Sequence, residues 1–307
     1  MNQPTTSFVQ VPVINKTDSI FKRKEDQPDQ VVDQISDQVS ELLAKEKPIV
    51  TVKVDGTCGI ICKTEGSDFF VMRRQDIKVC DKDGTSSKKY KSVMSSTLKT
   101  VFAGQECMLS AIDRQNGKTT KSCPLYIFQL DKEGYPEIEN GHIIGFTPVD
   151  RELADDKYLM TAFQDSGILT SVFDGNLDVV VKPVPISDLM GQRNIMTVEF
   201  MGSKIAQRYG FQPNDPHFIC PHGQIVFPPD QVPPFQSYHE LKAWFENENN
   251  NRWADVEGIV VHFPSNNIRF KVHRGHLGLN TRWGQKQKSL HSWDDKKKSG
   301  IVFRFQF

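Results

Sequence analysis

The chain has 307 residues, of which 25% are charged and 37% hydrophobic, with 38 basic and 38 acidic side chains. That is the make-up of a globular protein of one large or two modest domains. Zero net charge excludes a protein that holds polyanions by its overall field and leaves that work to local basic segments. No run of about 18 apolar residues and no basic start leading into an apolar core occurs, so neither a membrane span nor secretion is expected. Cys58, Cys62, Cys80, Cys107, Cys123 and Cys220 are scattered without a C-x-x-C pair. They read as reduced thiols of an intracellular protein, cytoplasmic or nuclear.

Residues 1–27 are polar and without periodicity and are expected to form a loosely held, flexible arm. Residues 28–307 read as a single domain. From Asp29, "DQVVDQISDQVSELLAKEKP" sets Val32, Ile35, Val39, Leu42 and Leu43 at three- and four-residue steps before Pro48, which predicts an amphipathic helix. The period then drops to two. In "IVTVKVD", Val50, Val52 and Val54 alternate with Thr51, Lys53 and Asp55, so a strand lays the lysine and the aspartate on one face. "GIICKTEGSDFFVMRR" predicts a hairpin about a Gly-Ser turn that delivers Arg73 and Arg74, and "DKDGTSSKKYKS" reads as a basic loop. Between about residues 100 and 195, short apolar stretches and turn clusters alternate as antiparallel strands do. "SYHELKAWFENE" carries a capping box, Ser237 and Glu240, ahead of Leu241, Trp244 and Phe245 at helical spacing. "GIVVHF", "IRFKVH" and "IVFRFQF" predict strands around an irregular basic segment. The fold class is α+β with mostly antiparallel sheet.

Three later strands repeat the layout around Lys53, with charge confined to one face. "IMTVEFMG" separates Met196, Val198 and Phe200 from Thr197 and Glu199. "DVEGIVVHF" starts an apolar strand with Glu257 beside a glycine that permits close backbone approach. "IRFKVHR" opposes Ile268, Phe270 and Val272 to Arg269, Lys271 and His273. Each pattern alone also describes a solvated strand face. In order, K-x-D-G, a basic residue after the hairpin, "VEFMG", "EGIVV" and "FKVHR" resemble the motif series of the covalent lysine nucleotidyltransferases, the superfamily of ATP-dependent ligases and capping guanylyltransferases. With "KVDGTC", "ENGHIIGFTPV", "ISDL", "PHG" and "KVHRGHLGL", residues 49–280 resemble most closely the vertebrate-type ATP-dependent 5′-to-3′ RNA ligases.

The resemblance implies a nucleotidyltransferase domain, the ATP-grasp-like ligase adenylation fold on antiparallel sheets, without an OB domain, since too few residues follow Lys271 for a barrel. It implies ATP as cosubstrate, Mg2+ (with Mn2+ able to substitute) as metal, and RNA bearing 5′-phosphate and 3′-hydroxyl ends as partner, with the protein a monomer. Lys53 becomes the adenylated lysine, Asp55 and Gly56 shape the turn beneath it, and Arg73 contacts the nucleotide or a 5′-phosphate, with Arg74 as the rival. Glu199 takes the ribose hydroxyls, Glu257 a metal ion and Lys271 the α-phosphate. The chemistry suits these residue types. A free lysine titrates near about 10.4, so an attacking amine needs neighbouring cations, which also hold the polyphosphate as charge builds on it. Carboxylates are what Mg2+ takes.

Where the superfamily often has a second lysine in its last motif, this chain has His273 and Arg274, either of which can contact phosphate. Asp113 in "LSAIDRQNG" is a candidate further acid. His273 with His276, and His217 with His222, lack a second ligand pair at a zinc-site spacing and read as structural or surface histidines. The basic stretch from Arg269 to Lys298, with Trp283 and Trp293 interleaved, and "KDGTSSKKYK" are candidates for following a phosphate backbone. The alternatives are a catalytically silent RNA-binding protein of the same fold, a DNA ligase, or a GTP-dependent capping-type enzyme. The intact set of Lys53, Glu199, Glu257 and Lys271 weighs against the silent reading.

Overall fold

A computed structural model describes residues 17–279 and 301–303, apart from 28, 64–68, 82, 95–96, 103–104, 112–124, 140, 150–153, 155, 165–166, 174–178, 206–216 and 248–255. The chain opens with β1 (Asp18–Ser19), β2 (Phe21–Arg23), β3 (Val31–Ile35), α1 (Asp37–Leu43) and β4 (Ile49–Lys53). It continues through β5 (Thr57–Lys63), β6 (Phe69–Lys78), α2 (Lys88–Met94), β7 (Thr97–Phe102), β8 (Gln105–Ala111), β9 (Leu125–Gln129), β10 (Ile138–Glu139) and β11 (His142–Pro148). Then come α3 (Lys157–Ala162), β12 (Phe163–Gln164), β13 (Gly167–Phe173), β14 (Val179–Val184), α4 (Ile186–Met190), β15 (Ile195–Met201) and β16 (Phe218–Pro221). The last elements are α5 (Tyr238–Glu246), β17 (Gly258–Phe263), β18 (Ile268–His273) and β19 (Ile301–Phe303).

Two sheets do most of the building. A small one runs β1-β18-β17-β4, and a large one of 13 strands runs from β19 through β13, β16, β15, β5, β6 and β11 to β7. Nearly all pairings are antiparallel; β1 with β18 and β13 with β16 are parallel. Few helices accompany these sheets, as the sequence pattern predicts.

The alternations seen in the sequence set the faces. On the small sheet, Val50, Ile259, Val261, Phe263, Phe270 and Val272 are buried and join Val39, Leu42, Leu241 and Phe245 of α1 and α5 in one core. On the large sheet, Met196, Val198, Phe200, Ile61 and Val71 form a second core with Leu159, Ala162 and Met190. Ser237 caps α5 with its hydroxyl accepting from the Glu240 N–H.

Three expectations give way. The helix predicted from Asp29 begins only at Asp37: Val31, Val32 and Ile35 instead belong to β3, paired with β2, and Ser36 caps α1. β-branched residues at both ends of that stretch favour the strand, and the apolar stripe spans two elements that happen to share a core. Residues 18–19 and 21–23 of the expected arm are in strands, with Ile20 and Phe21 buried. The basic loop contains α2.

Candidate active site

The small sheet lines up its polar face in rows. Gly258 pairs with Lys53 on one side and His273 on the other; Val260 pairs with Thr51 and Lys271; His262 pairs with Ile49 and Arg269. Residues paired across a sheet point the same way, so Lys53, His273, Thr51, Lys271, His262 and Arg269 share one face. Gly258 is needed in this ladder. A Cβ there would lie 2.7 Å from the His273 Cα and run into the Val272 carbonyl. β1 extends the sheet by a short parallel pairing, Ser19 against Lys271, with the Ile20 N–H donating to the Lys271 carbonyl at 3.0 Å.

The large sheet supplies the facing wall. Glu199 on β15 is directly opposite Cys58 on β5, and Arg74 follows on β6. Gly56 sits close beneath them: a Cβ there would be 2.5 Å from the Phe200 carbonyl oxygen and 3.2 Å from the Glu199 Cβ. After β16 the chain turns through Pro221–Gln224 and returns along β4, with the Val52 N–H donating to Ile225 and the Phe227 N–H to Val50. This turn closes one end of an open cleft lined by Lys53, Cys58, Arg74, Glu199, His222, Arg269 and Lys271 among others.

The charges inside interact strongly. Lys53 Nζ pairs with Glu257 Oε2, both side chains being about four-fifths buried. Burial pushes the Glu257 carboxyl up, against the pull of Lys53, and Asp55 and Glu199 push the same way as burial. Lys271 is brought down to about 8 by burial first and then by Lys53, Arg74 and Arg23. His273 falls to about 3, by burial and by Lys53 and Lys271. His222 Nε2 lies 3.0 Å from Glu199 Oε1, and Thr51 Oγ1 lies 2.9 Å from His262 Nε2. The Cys58 thiol is pushed up to about 12 by burial and by Glu199. A thiol so held stays protonated and is a poor nucleophile.

A model of the RNA ligase 1 family matches residues 7–295. The chain belongs to that family. Its activity class is therefore the joining of RNA, and RNA is its substrate class. A comparison with curated proteins gives no match. Among the described residues, no helix is long and apolar enough to cross a membrane.

For this RNA ligase family member, Lys53, Arg74, Glu199 and Lys271 line one cleft; Glu257 pairs with Lys53 and feels the charge of Asp55, Gly56 packs beneath Glu199, and His273 shares the sheet face of Lys53 and Lys271. Two candidates point elsewhere. Arg73 alternates to the opposite face of β6, where it pairs with the fully buried Asp156 at the start of α3. Arg274 donates to the Phe245 carbonyl at 3.0 Å and lies over the Phe245 ring, anchoring α5. Asp113, Trp283, Trp293 and the basic tail lie outside the described residues. The cleft also holds residues that the sequence reading did not single out as site residues: Cys58, His222, His262 and Arg269. The signal for His262 and Arg269 was present, because two-residue alternation from Lys271 reaches Arg269 and its partner strand. For Cys58 and His222 only the register across β16, β15 and β5 reveals the meeting.

Proposed function

We propose that the chain is an ATP-dependent ligase that joins an RNA 5′-phosphate to a 3′-hydroxyl through lysyl-AMP, on a nucleotidyltransferase fold made of the two sheets around the cleft. The observation that carries this reading is the placement of Lys53 and Lys271 on neighbouring rows of one sheet face, with Glu257 paired to Lys53 and Glu199 and Arg74 lining the same cleft. A binding protein has no use for a largely buried lysine paired to a largely buried carboxylate in front of a second lysine; nucleophilic chemistry through a lysine phosphoramidate does.

In the first step Lys53 Nζ forms a bond to the α-phosphorus of ATP and pyrophosphate leaves. Lys271 and Arg74 hold phosphate oxygens as charge builds on them. Glu199, oriented by His222, accepts from the ribose hydroxyls. In the second step the RNA 5′-phosphate oxygen attacks the same phosphorus and Lys53 departs. In the third, the 3′-hydroxyl attacks the RNA phosphorus and AMP leaves. Gly56 lets the turn carrying Lys53 and Asp55 pack against β15. Glu257, a buried carboxylate with Asp55 nearby, offers the hard oxygen donors that Mg2+ takes, and the ion would neutralise charge on phosphate oxygens.

The test is incubation with α-labelled ATP or GTP and Mg2+, followed by denaturing electrophoresis. A labelled AMP adduct that disappears in Lys53→Ala is expected. No adduct, or one from GTP alone, refutes the proposal. Sealing of 5′-phosphorylated RNA in preference to DNA then separates RNA ligase from DNA ligase.

A further inference from the structure

Beside the proposed ribose contact, three side chains of different chemistry meet: the Cys58 sulfur, a Glu199 carboxylate oxygen and a His222 ring nitrogen all lie within 4.8 Å of one another. Three separate pieces of backbone bring them there. Cys58 and Glu199 are register partners on β5 and β15. His222 is held by its own N–H, which donates to the Thr197 carbonyl at 3.1 Å, and its ring reaches Glu199 Oε1 at 3.0 Å. The other carboxylate oxygen, Glu199 Oε2, is buried and has no hydrogen-bond partner. A buried carboxylate oxygen left so is costly unless something else, such as a cation, completes it.

We propose that Cys58, Glu199 and His222 form a binding site for Zn2+, and that an ion held there excludes nucleotide from the cleft. Thiolate, imidazole and carboxylate are the donor types zinc takes, with three protein ligands leaving a fourth position open. Donors within 4.8 Å of one another stand near the spacing of tetrahedral ligands whose bonds to zinc are about 2.0–2.3 Å. On binding, the thiol gives its proton to solvent and the ring nitrogen facing Glu199 turns its lone pair to the ion. Mg2+ prefers oxygen donors throughout, so this site is separate in chemistry from Glu257. The exclusion half rests on the reading of Glu199 as the ribose contact.

Full-length protein titrated with Co2+, as a coloured stand-in for Zn2+, tests the site. Expected are a thiolate-to-cobalt charge-transfer band and tetrahedral visible bands that saturate at one ion, vanish when Zn2+ is added, and persist in Cys80→Ser, an exposed thiol elsewhere. The charge-transfer band is lost in Cys58→Ser, and affinity falls at least about tenfold in His222→Ala. Absence of the band in the unaltered protein, or its survival in Cys58→Ser, overturns the site. ATP binding is then measured with and without Zn2+ in small excess over protein. Loss of ATP binding supports exclusion, and undiminished binding with zinc seated overturns it. Failure of ATP to bind the zinc-free protein instead overturns the ligase reading while the cobalt spectra still decide the site.

Discussion

Replacing Arg73 and Arg74 one at a time separates the two faces of β6 and tests the assignment of the cleft. Arg73 is about five-sixths buried and its partner Asp156 is fully buried. Arg73→Ala leaves a carboxylate out of water without its countercharge, a loss of about 3–5 kcal/mol. Against a total stability of roughly 5–15 kcal/mol this is severe. Arg73→Met with Asp156→Leu removes both charges and is expected to regain much of it. Arg74 is different. Its partner Asp76 is 42% exposed, and such a pair contributes at most about 1 kcal/mol. Arg74→Ala is therefore expected to unfold near the wild-type midpoint while losing a guanidinium–phosphate contact of about 1.5–3 kcal/mol, a roughly ten- to hundredfold slower lysyl-AMP formation. Urea unfolding gives the stabilities, and the initial rate of adduct formation per folded molecule gives the chemistry. An Arg73→Ala protein that is stable yet forms no adduct, or an Arg74→Ala protein with an unchanged rate, refutes the reasoning.

Lys271 carries its charge below about 8 and loses it as pH rises through that value, so ATP affinity of the free protein is expected to fall there. Lys271→Arg stays protonated and should move the fall to higher pH; coincident wild-type and variant profiles in calorimetric titrations would count against a phosphate role. Gly56→Ala must displace the Phe200 backbone oxygen, 2.5 Å from the new Cβ, or the Met201 sulfur at 2.7 Å. Overpacking of this kind costs about 1–3 kcal/mol, and since the Glu199 Cβ is only 3.2 Å from the new methyl, adduct formation falls as well; a thermal shift without loss of rate would contradict the packing argument. Arg274→Ala gives up a charged hydrogen bond to Phe245, about 1.5–3 kcal/mol of stability, with adduct formation per folded molecule retained, measured on the same two assays.

The parts of the cleft legible in the sequence are those that period-two alternation governs. Lys53, Glu199, Lys271 and His273 lie on the faces their strands predict, because one face of each strand is packed in a core and the other residues have nowhere else to go. Position along a strand does not say which of two faces meets the ligand when both are buried. That is why Arg73 and Arg74 were indistinguishable: the face of β6 carrying Arg73 covers the second core and meets Asp156, a partner 83 positions away in sequence that no local pattern announces. The stretch from Val31 to Leu43 failed for the opposite reason. A stripe at helical spacing was real burial, divided between a strand and a helix, and Ser36 marked the true start. His222 depended on a long-range return of the chain, from the large sheet to the edge of β4, that only tertiary structure supplies.

The same geometry decides what kind of charge the cleft offers. His273 and His276 stack with ring centroids 3.5 Å apart, and His276 is pushed down to about 2 by burial and then by His273 and neighbouring cations. Two imidazoles at that spacing beneath lysines cannot both be charged, and with His262 lowered to about 4 these three rings are neutral throughout the physiological range. A contact from His273 to phosphate is then a neutral N–H bond, weaker than a charged one. Positive charge at the phosphate position falls to Lys271, Arg74 and Arg269. It follows that titration of these three rings does not set the acid limb of the reaction. Glu257, raised by its burial, takes up a proton before an ordinary glutamate does as pH falls.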